Sequence, residues 1–201
     1  MSDGSTVRPD ALLQTGRRRR LFLALWPDEV LRRRLRELLD RQLPCRSGRP
    51  EPIANLHITL VFIGDIASER MAAIEQAAGA VSGTSFELSL ARVGYWERPR
   101  ILWLGPDETP ATLFYLVRDL RAALESCGVV SETRPYLPHM TLARKVTRPP
   151  PETRVEPVRW PVETFSLVES VPTAGRSLYR ELVRWPLPEA DKTREPAPLS
   201  D

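Results

Sequence analysis

His57-Ile58-Thr59-Leu60 and His139-Met140-Thr141-Leu142 hold the only two histidines of the chain. Each histidine opens the same frame of histidine, spacer, threonine and leucine, and the two frames start 139 − 57 = 82 residues apart. Such a recurrence points to a duplicated half-site and to a fold of two similar lobes. Histidine is the one side chain whose ordinary pKa lets it take or give a proton near neutral pH. A matched pair can therefore serve a reaction that needs one acid and one base. Acid–base chemistry on a phosphodiester is the most economical case.

Both frames sit in apolar, β-favouring stretches, 56–63 and 136–144, which read as strands. Side chains alternate along a strand, so residues i and i+2 share a face. His57 and Thr59 then point one way while Leu56, Ile58, Leu60 and Phe62 point the other; His139 and Thr141 share a face opposite Met140 and Leu142. Two such fronts would form a cleft with two imidazoles and two hydroxyls. In-line displacement at phosphorus needs a base on the attacking oxygen and an acid on the leaving one, and hydroxyls can donate to the remaining oxygens. Either histidine alone could be a hydrogen-bonded structural residue; the repeat favours the catalytic reading. A two-histidine metal centre would need a carboxylate ligand, and the position two after each histidine is threonine. No metal or other cofactor is expected.

Outward from the frames, the chain reads as strand, helix, strand, helix, strand, strand, helix, strand, strand, strand. A buried strand over 20–26 leads to an amphipathic helix over 28–42, with Val30, Leu31, Leu35, Leu38 and Leu39 at helical spacing. A helix is expected over 65–80, and strands over 86–90 and 100–104 with 94–99 as their connection. Thr109-Pro110 reads as the start of a helix that ends at Gly128. Pro149 to Pro151 reads as a loop, and 162–171 and 178–185 as late strands. The expected class is α+β: two pseudo-symmetric antiparallel sheets with flanking helices and a central cleft carrying the two motifs. One bilobal domain over 19–187 would stand between disordered tails at 1–18 and 188–201.

Composition sets the boundaries of function. The 201 residues carry 42% apolar and 27% charged side chains, ordinary for a globular domain. Net charge is +3, and of 29 basic residues only Lys145 and Lys192 are lysines. Arginine suits phosphate, although a general bias toward arginine and proline is the better account of the count. The runs 17–20 and 32–34 read as solvated charge. Cys45 and Cys127 form no disulfide framework or zinc motif, which fits a reducing cytoplasm. No apolar stretch is long enough to cross a bilayer, and the first residues lack the order of a secretory signal.

The chain resembles the 2H phosphoesterase superfamily, and within it the RNA 2′,3′-cyclic phosphodiesterases of the LigT/ThpR type, once called 2′-5′ RNA ligases. The resemblance covers about 20–187. It rests on both motifs in their settings, Asn55 to Gly64 and Arg134 to Arg144, on Arg20 to Leu25 before a helix, and on Phe165 to Ser170 and Tyr179 to Pro186. It implies hydrolysis of RNA or nucleotide 2′,3′-cyclic phosphate ends to 2′-phosphomonoesters. His57 would be the proton donor and His139 the acceptor; Thr59 and Thr141 would hold phosphate oxygens.

Arg134, Arg144 and Tyr136 are further candidates for contacting substrate; Trp103 reads as core. Simple alternation turns Arg144 away from His139, so a bulge or strand end would be needed to bring it round. Leu137 stands where relatives often carry a basic residue. No membrane and no obligate protein partner are expected, and a monomer suffices. Ligation, hydrolysis of another cyclic phosphate, or RNA-end binding without turnover are the rival readings.

Overall fold

The computed structural model describes residues 16, 18–42, 47–130, 132, 134–150, 153–173 and 176–189. Cys45 and nearly all of the expected tails lie outside them. The elements are β1 (Arg18–Leu25), α1 (Glu29–Gln42), β2 (Arg49–Pro50), β3 (Ile58–Ala67), α2 (Met71–Gly79), β4 (Phe86–Trp96), β5 (Ile101–Pro106), α3 (Ala111–Glu125), β6 (Met140–Arg144), β7 (Thr153–Val162), β8 (Thr164–Thr173) and β9 (Arg176–Pro186).

Among the described residues the strands form one ladder, β7-β4-β5-β6-β3-β1-β8-β9, with short β2 beside β6. The two expected sheets are the two halves of this ladder. They join at a single antiparallel pair, Ile58 with Met140. Each of these residues directly follows its histidine. A pseudo-twofold axis therefore passes between the motif strands, and continuing the register sets His57 across from Thr141 and His139 across from Thr59.

The two halves repeat one irregularity. Leu23 pairs with Val61 and Ala24 with Thr59, which leaves Leu60 as an extra residue. Leu102 pairs with Ala143 and Trp103 with Thr141, which leaves Leu142 as an extra residue. Burial follows suit: 58–62 and 140–144 share the pattern buried, half-buried, buried, buried, exposed. A bulge re-aims the side chains beyond it. Phe62 and Arg144, each five residues after a histidine, thereby turn to the histidine face. The simple alternation expected for Phe62 fails here for the same reason.

The opposite face carries the core. Asp28 Oδ1 accepts from the Leu31 backbone N–H at 2.7 Å and caps α1, whose Leu31, Leu35 and Leu38 are buried. Ile74 and Ala78 of α2 and Leu113, Leu116, Val117, Leu120 and Leu124 of α3 join the same cluster. A fully buried leucine contributes about 1.5–3 kcal/mol. The helix-covered face therefore carries the main core, and the other carries the histidines, the threonines and a smaller apolar cluster around Phe22.

Several expected boundaries move: the motif strands expected from 56 and 136 begin at Ile58 and Met140, directly after each histidine. Strand β3 runs on to Ala67, so the helix expected over 65–80 shrinks to Met71–Gly79 after a single 3-10 turn at Ser68–Arg70. Strand β4 extends to Trp96 through Gly94, where a Cβ would overlap the Trp103 ring. Strand β7 is not among the expected elements, because Pro157 and Pro161 interrupt its pattern. It is an outer strand, the position in a sheet where proline is tolerated. Helix α3 begins after Pro110 without a side-chain cap, so the Thr109 hydroxyl does not have the expected role. Gly128, at φ +67°, closes that helix as expected.

Candidate active site

His57 follows a 3-10 turn at Ile53–Asn55 that enters β3. Asn55 is a buried polar residue; its amide donates to the Ser177 carbonyl at 2.9 Å. The Asn55 carbonyl in turn accepts from His57 Nδ1 at 2.6 Å. His139 repeats the device: its Nδ1 donates to the Leu137 carbonyl, also two residues back, at 2.9 Å. With both Nδ1 atoms protonated, both Nε2 atoms carry the free lone pair. His57 Nε2 lies 3.1 Å from Thr59 Oγ1, whose hydroxyl can donate to it.

Aromatic rings wall the imidazoles. His57 lies 4.8 Å from Phe22, 5.1 Å from Tyr179 and 5.7 Å from Trp26, between ring centroids. His139 meets the edge of Trp96 at 4.5 Å. Burial is the main reason that the His57 pKa falls from its usual 6.5 to about 4; the Asn55 bond opposes the fall, while the charges of His139 and Arg144 deepen it. Burial also lowers His139, against its Leu137 bond and aided by Arg144. Both imidazoles are therefore neutral at pH 7 in the ligand-free protein.

The histidines and both threonines line one cavity of about 650 Å³, which Arg20, Arg49, Arg144 and Lys145 also line. Arg144 comes round through the Leu142 bulge. Glu51 Oε1 accepts from its Nε at 2.5 Å, and the Glu51 backbone N–H is fixed to the Leu142 carbonyl at 2.8 Å. The cavity thus combines two proton-transfer groups, two hydroxyls and an excess of cations, an inventory suited to a phosphate anion.

Two sequence candidates do not line this cavity. Arg134 is exposed and pairs with Glu132, so its charge is spent on a neighbour outside the cleft. Tyr136 turns to the helix side, with its ring 6.3 Å from Phe114 and its hydroxyl donating to the Thr59 carbonyl at 3.1 Å. It braces the motif strand from behind. Trp103 is buried, as expected.

The arginine runs need correction too. Arg20 lines the cavity, Arg19 pairs with buried Glu169 at 2.7 Å, and Arg32 packs over the Trp26 ring at 5.3 Å. The residues that sequence reasoning missed are the wall: Phe22, Trp26, Trp96 and Tyr179. Phe22 lies in a uniformly apolar strand, where no alternation separates the core face from the cleft face. Among the described residues, no three histidine, cysteine, aspartate or glutamate side chains form a group able to hold a metal ion.

An α+β fold with paired H-x-T strands beneath a cationic cleft defines the two-histidine phosphoesterases. The family model described as the 2′-5′ RNA ligase superfamily matches residues 27–172, and the chain belongs to that family. It is 34% identical over 172 residues to the RNA 2′,3′-cyclic phosphodiesterase of Escherichia coli (strain K12), covering 84% of this chain and 96% of the relative. With the enzyme of the same name from Thermus thermophilus, identity is 33% over 174 residues, covering 75% and 81%. The crystal structure of E. coli LigT complexed with 3′-AMP superposes with a TM-score of 0.76 at 32% identity, covering 85% of this chain and 99% of that one.

Proposed function

We propose that this protein hydrolyses 2′,3′-cyclic phosphate ends of RNA or nucleotides to 2′-phosphomonoesters by two-histidine acid–base catalysis, with no required metal. The observation that carries the reading is the pair of Nε2 lone pairs on symmetry-related strands that line one cationic cavity. Its curated relatives are RNA 2′,3′-cyclic phosphodiesterases, and the 3′-AMP complex of LigT is a nucleotide phosphate complex of the same fold.

In this reading His139 takes a proton from water as the water oxygen attacks phosphorus. The P–O3′ bond breaks, and protonated His57 gives its proton to the departing 3′ oxygen. Water is thus divided between the new phosphomonoester and the new 3′ hydroxyl, and exchange with solvent resets both imidazoles. Thr59 and Thr141 donate to the non-bridging oxygens, and Arg144 balances their charge. His57 enters this cycle protonated because a bound phosphate anion favours the imidazolium that the empty cavity disfavours. The partner is an RNA or nucleotide end; one chain supplies both half-sites, so a monomer suffices. Cys127 is a free thiol, in keeping with a cytoplasmic setting.

The test is a short RNA ending in a 2′,3′-cyclic phosphate, incubated with protein in excess EDTA and followed by phosphorus NMR. Conversion to the 2′-phosphate, lost in both His57→Ala and His139→Ala, is the expected result. A dependence on added metal would overturn the metal-free mechanism, and release of a 3′-phosphate would overturn the assignment of the leaving oxygen.

A further inference from the structure

We infer that an unpaired basic patch, Arg98, Arg100 and Arg148, holds the RNA chain that leads up to the cyclic end. The inference deepens the phosphodiesterase reading and rests on it for the class of ligand. Its basis is an asymmetry of charge pairing between the two halves. On the side of β1, β8 and β9, carboxylates already hold the arginines: Glu169 pairs with Arg19 and Arg180, Asp65 with Arg20, and Glu181 with Arg184. Around the end of β6 the case is reversed. Glu51 pairs with Arg144, but among the described residues no carboxylate forms an ion pair with Arg49, Arg98, Arg100, Lys145 or Arg148. Arg49 stands directly across from Arg144 in the β2–β6 register, and both line the cavity. Like charges set opposite one another cost stability, and an anion between them removes that cost.

The backbone fixes this patch beside the cavity. Lys145, which also lines the cavity, and Arg100 have φ of +56° and +66°, a left-handed conformation uncommon for residues with side chains. One follows β6 and the other precedes β5, and the Val146 N–H donates to the Arg100 carbonyl at 3.1 Å. The Tyr95 hydroxyl donates to the Val146 carbonyl at 3.0 Å, and the Arg148 N–H donates to Ser47 Oγ at 3.0 Å. Gly48, at φ +88°, passes so close that a Cβ there would lie 2.8 Å from the Arg144 carbonyl oxygen. Strained backbone of this kind persists where its surroundings over-determine it, and it gathers at functional sites. Here it holds exposed, uncommitted cations in a series that begins inside the cavity with Arg49 and Lys145 and continues outside it. A polyanion that enters the cavity by its end brings its further phosphates to that series, and neutralising them releases counterions whatever the base sequence.

The experiment compares binding of hexauridylate ending in a 2′-phosphate with that of uridine 2′-phosphate, by titration calorimetry at about 50 and about 200 mM salt. Each phosphate contact to a single strand adds about −0.7 to the logarithmic salt slope, so three contacts should cost the hexanucleotide about 20-fold more affinity over that range than the mononucleotide. The triple variant Arg98→Gln/Arg100→Gln/Arg148→Gln should abolish that excess and leave uridine 2′-phosphate within about twofold. An equal loss of charge from exposed positions of α1, Arg33→Gln/Arg34→Gln/Arg36→Gln, should keep the excess. The same effect from both triples would assign the salt dependence to net charge and overturn the inference. So would equal salt dependence of the two ligands in the unmutated protein, unchanged hexanucleotide binding in the patch variant, or equal weakening of both ligands by it. Turnover of cyclic-ended hexauridylate is measured separately: patch-dependent binding without turnover would retire the hydrolytic reading and leave the patch standing.

Discussion

The Asn55 carbonyl accepts a 2.6 Å hydrogen bond from His57 Nδ1, while the Asn55 amide is pinned to the Ser177 carbonyl of the far strand at 2.9 Å. The orientation of one imidazole is thereby tied to β9, which adjoins neither motif strand. Asn55→Ala should lower kcat about 10- to 100-fold with little change in KM, since it leaves the phosphate contacts intact and loosens the ring that moves the proton. Removing the buried amide should also cost about 1–3 kcal/mol of stability. Steady-state kinetics beside urea unfolding check both, and an unchanged kcat would refute the positioning role.

In the proposed mechanism the two histidines set the pH dependence. Replacing either histidine by alanine should lower kcat by about 10²- to 10⁴-fold. In the proposed mechanism the reactive form has His57 protonated and His139 neutral. Burial holds both pKa values down in the free protein, His57 to about 4, so this form is most populated in acid and kcat/KM should peak below pH 6.5. A bound phosphate anion raises both values, so kcat should peak at higher pH. Full profiles of the two parameters decide the matter; a kcat/KM optimum above pH 7 would contradict the proton inventory.

Stability should fall with acid in two overlapping windows. Unfolded, His57 takes up a proton near pH 6.5; folded, it waits until about 4. The folded state therefore loses stability as pH drops from 6.5 to 4 and loses no more from this group below that. Glu169 is held below its usual 4.5 chiefly by the Arg19 hydrogen bond, so its contribution is present above that value and fades at lower pH. Urea midpoints measured from pH 8 to 3 should show both declines, and His57→Gln should flatten part of the upper one, since His139 also contributes there.

Arg144 serves two acceptors, Glu51 through its Nε and, in the proposed reaction, the phosphate through its remaining N–H groups. A lysine has no rigid fork to do both, so Arg144→Lys should reduce kcat/KM about 10- to 100-fold. Glu51→Gln keeps an acceptor for the Nε and removes a negative charge from an anion site. It should lower KM about two- to fivefold with kcat nearly unchanged. A rise in KM would show that the carboxylate is needed to aim the guanidinium.

Much of this architecture is legible from the two frames. They mark the central strands, and their parity puts histidine and threonine on one face and the leucines on the other. Parity also misleads: it places Phe62 with the leucines and turns Arg144 from the cleft, because a bulge changes backbone pairing without leaving a residue-type signature. Arg134 and Tyr136 flank the second histidine in sequence, but the approach to β6 takes Tyr136 behind the sheet and leaves Arg134 beside Glu132. The prolines of β7 mask a strand whose outer position makes them harmless. The aromatic wall comes from β1, β4, β9 and the turn after β1, and a long-range encounter of that kind has no local period.

The single pair Ile58 with Met140 acts as the rivet of a caliper. Each half-sheet is a rigid jaw bearing one imidazole, and the gap between the jaws is set at a backbone contact between two apolar residues whose side chains point into the core. The spacing of the two imidazoles is thus written in main chain, out of range of most side-chain substitutions. Side chains at the rim can change while this main-chain pair keeps the two motif strands in place.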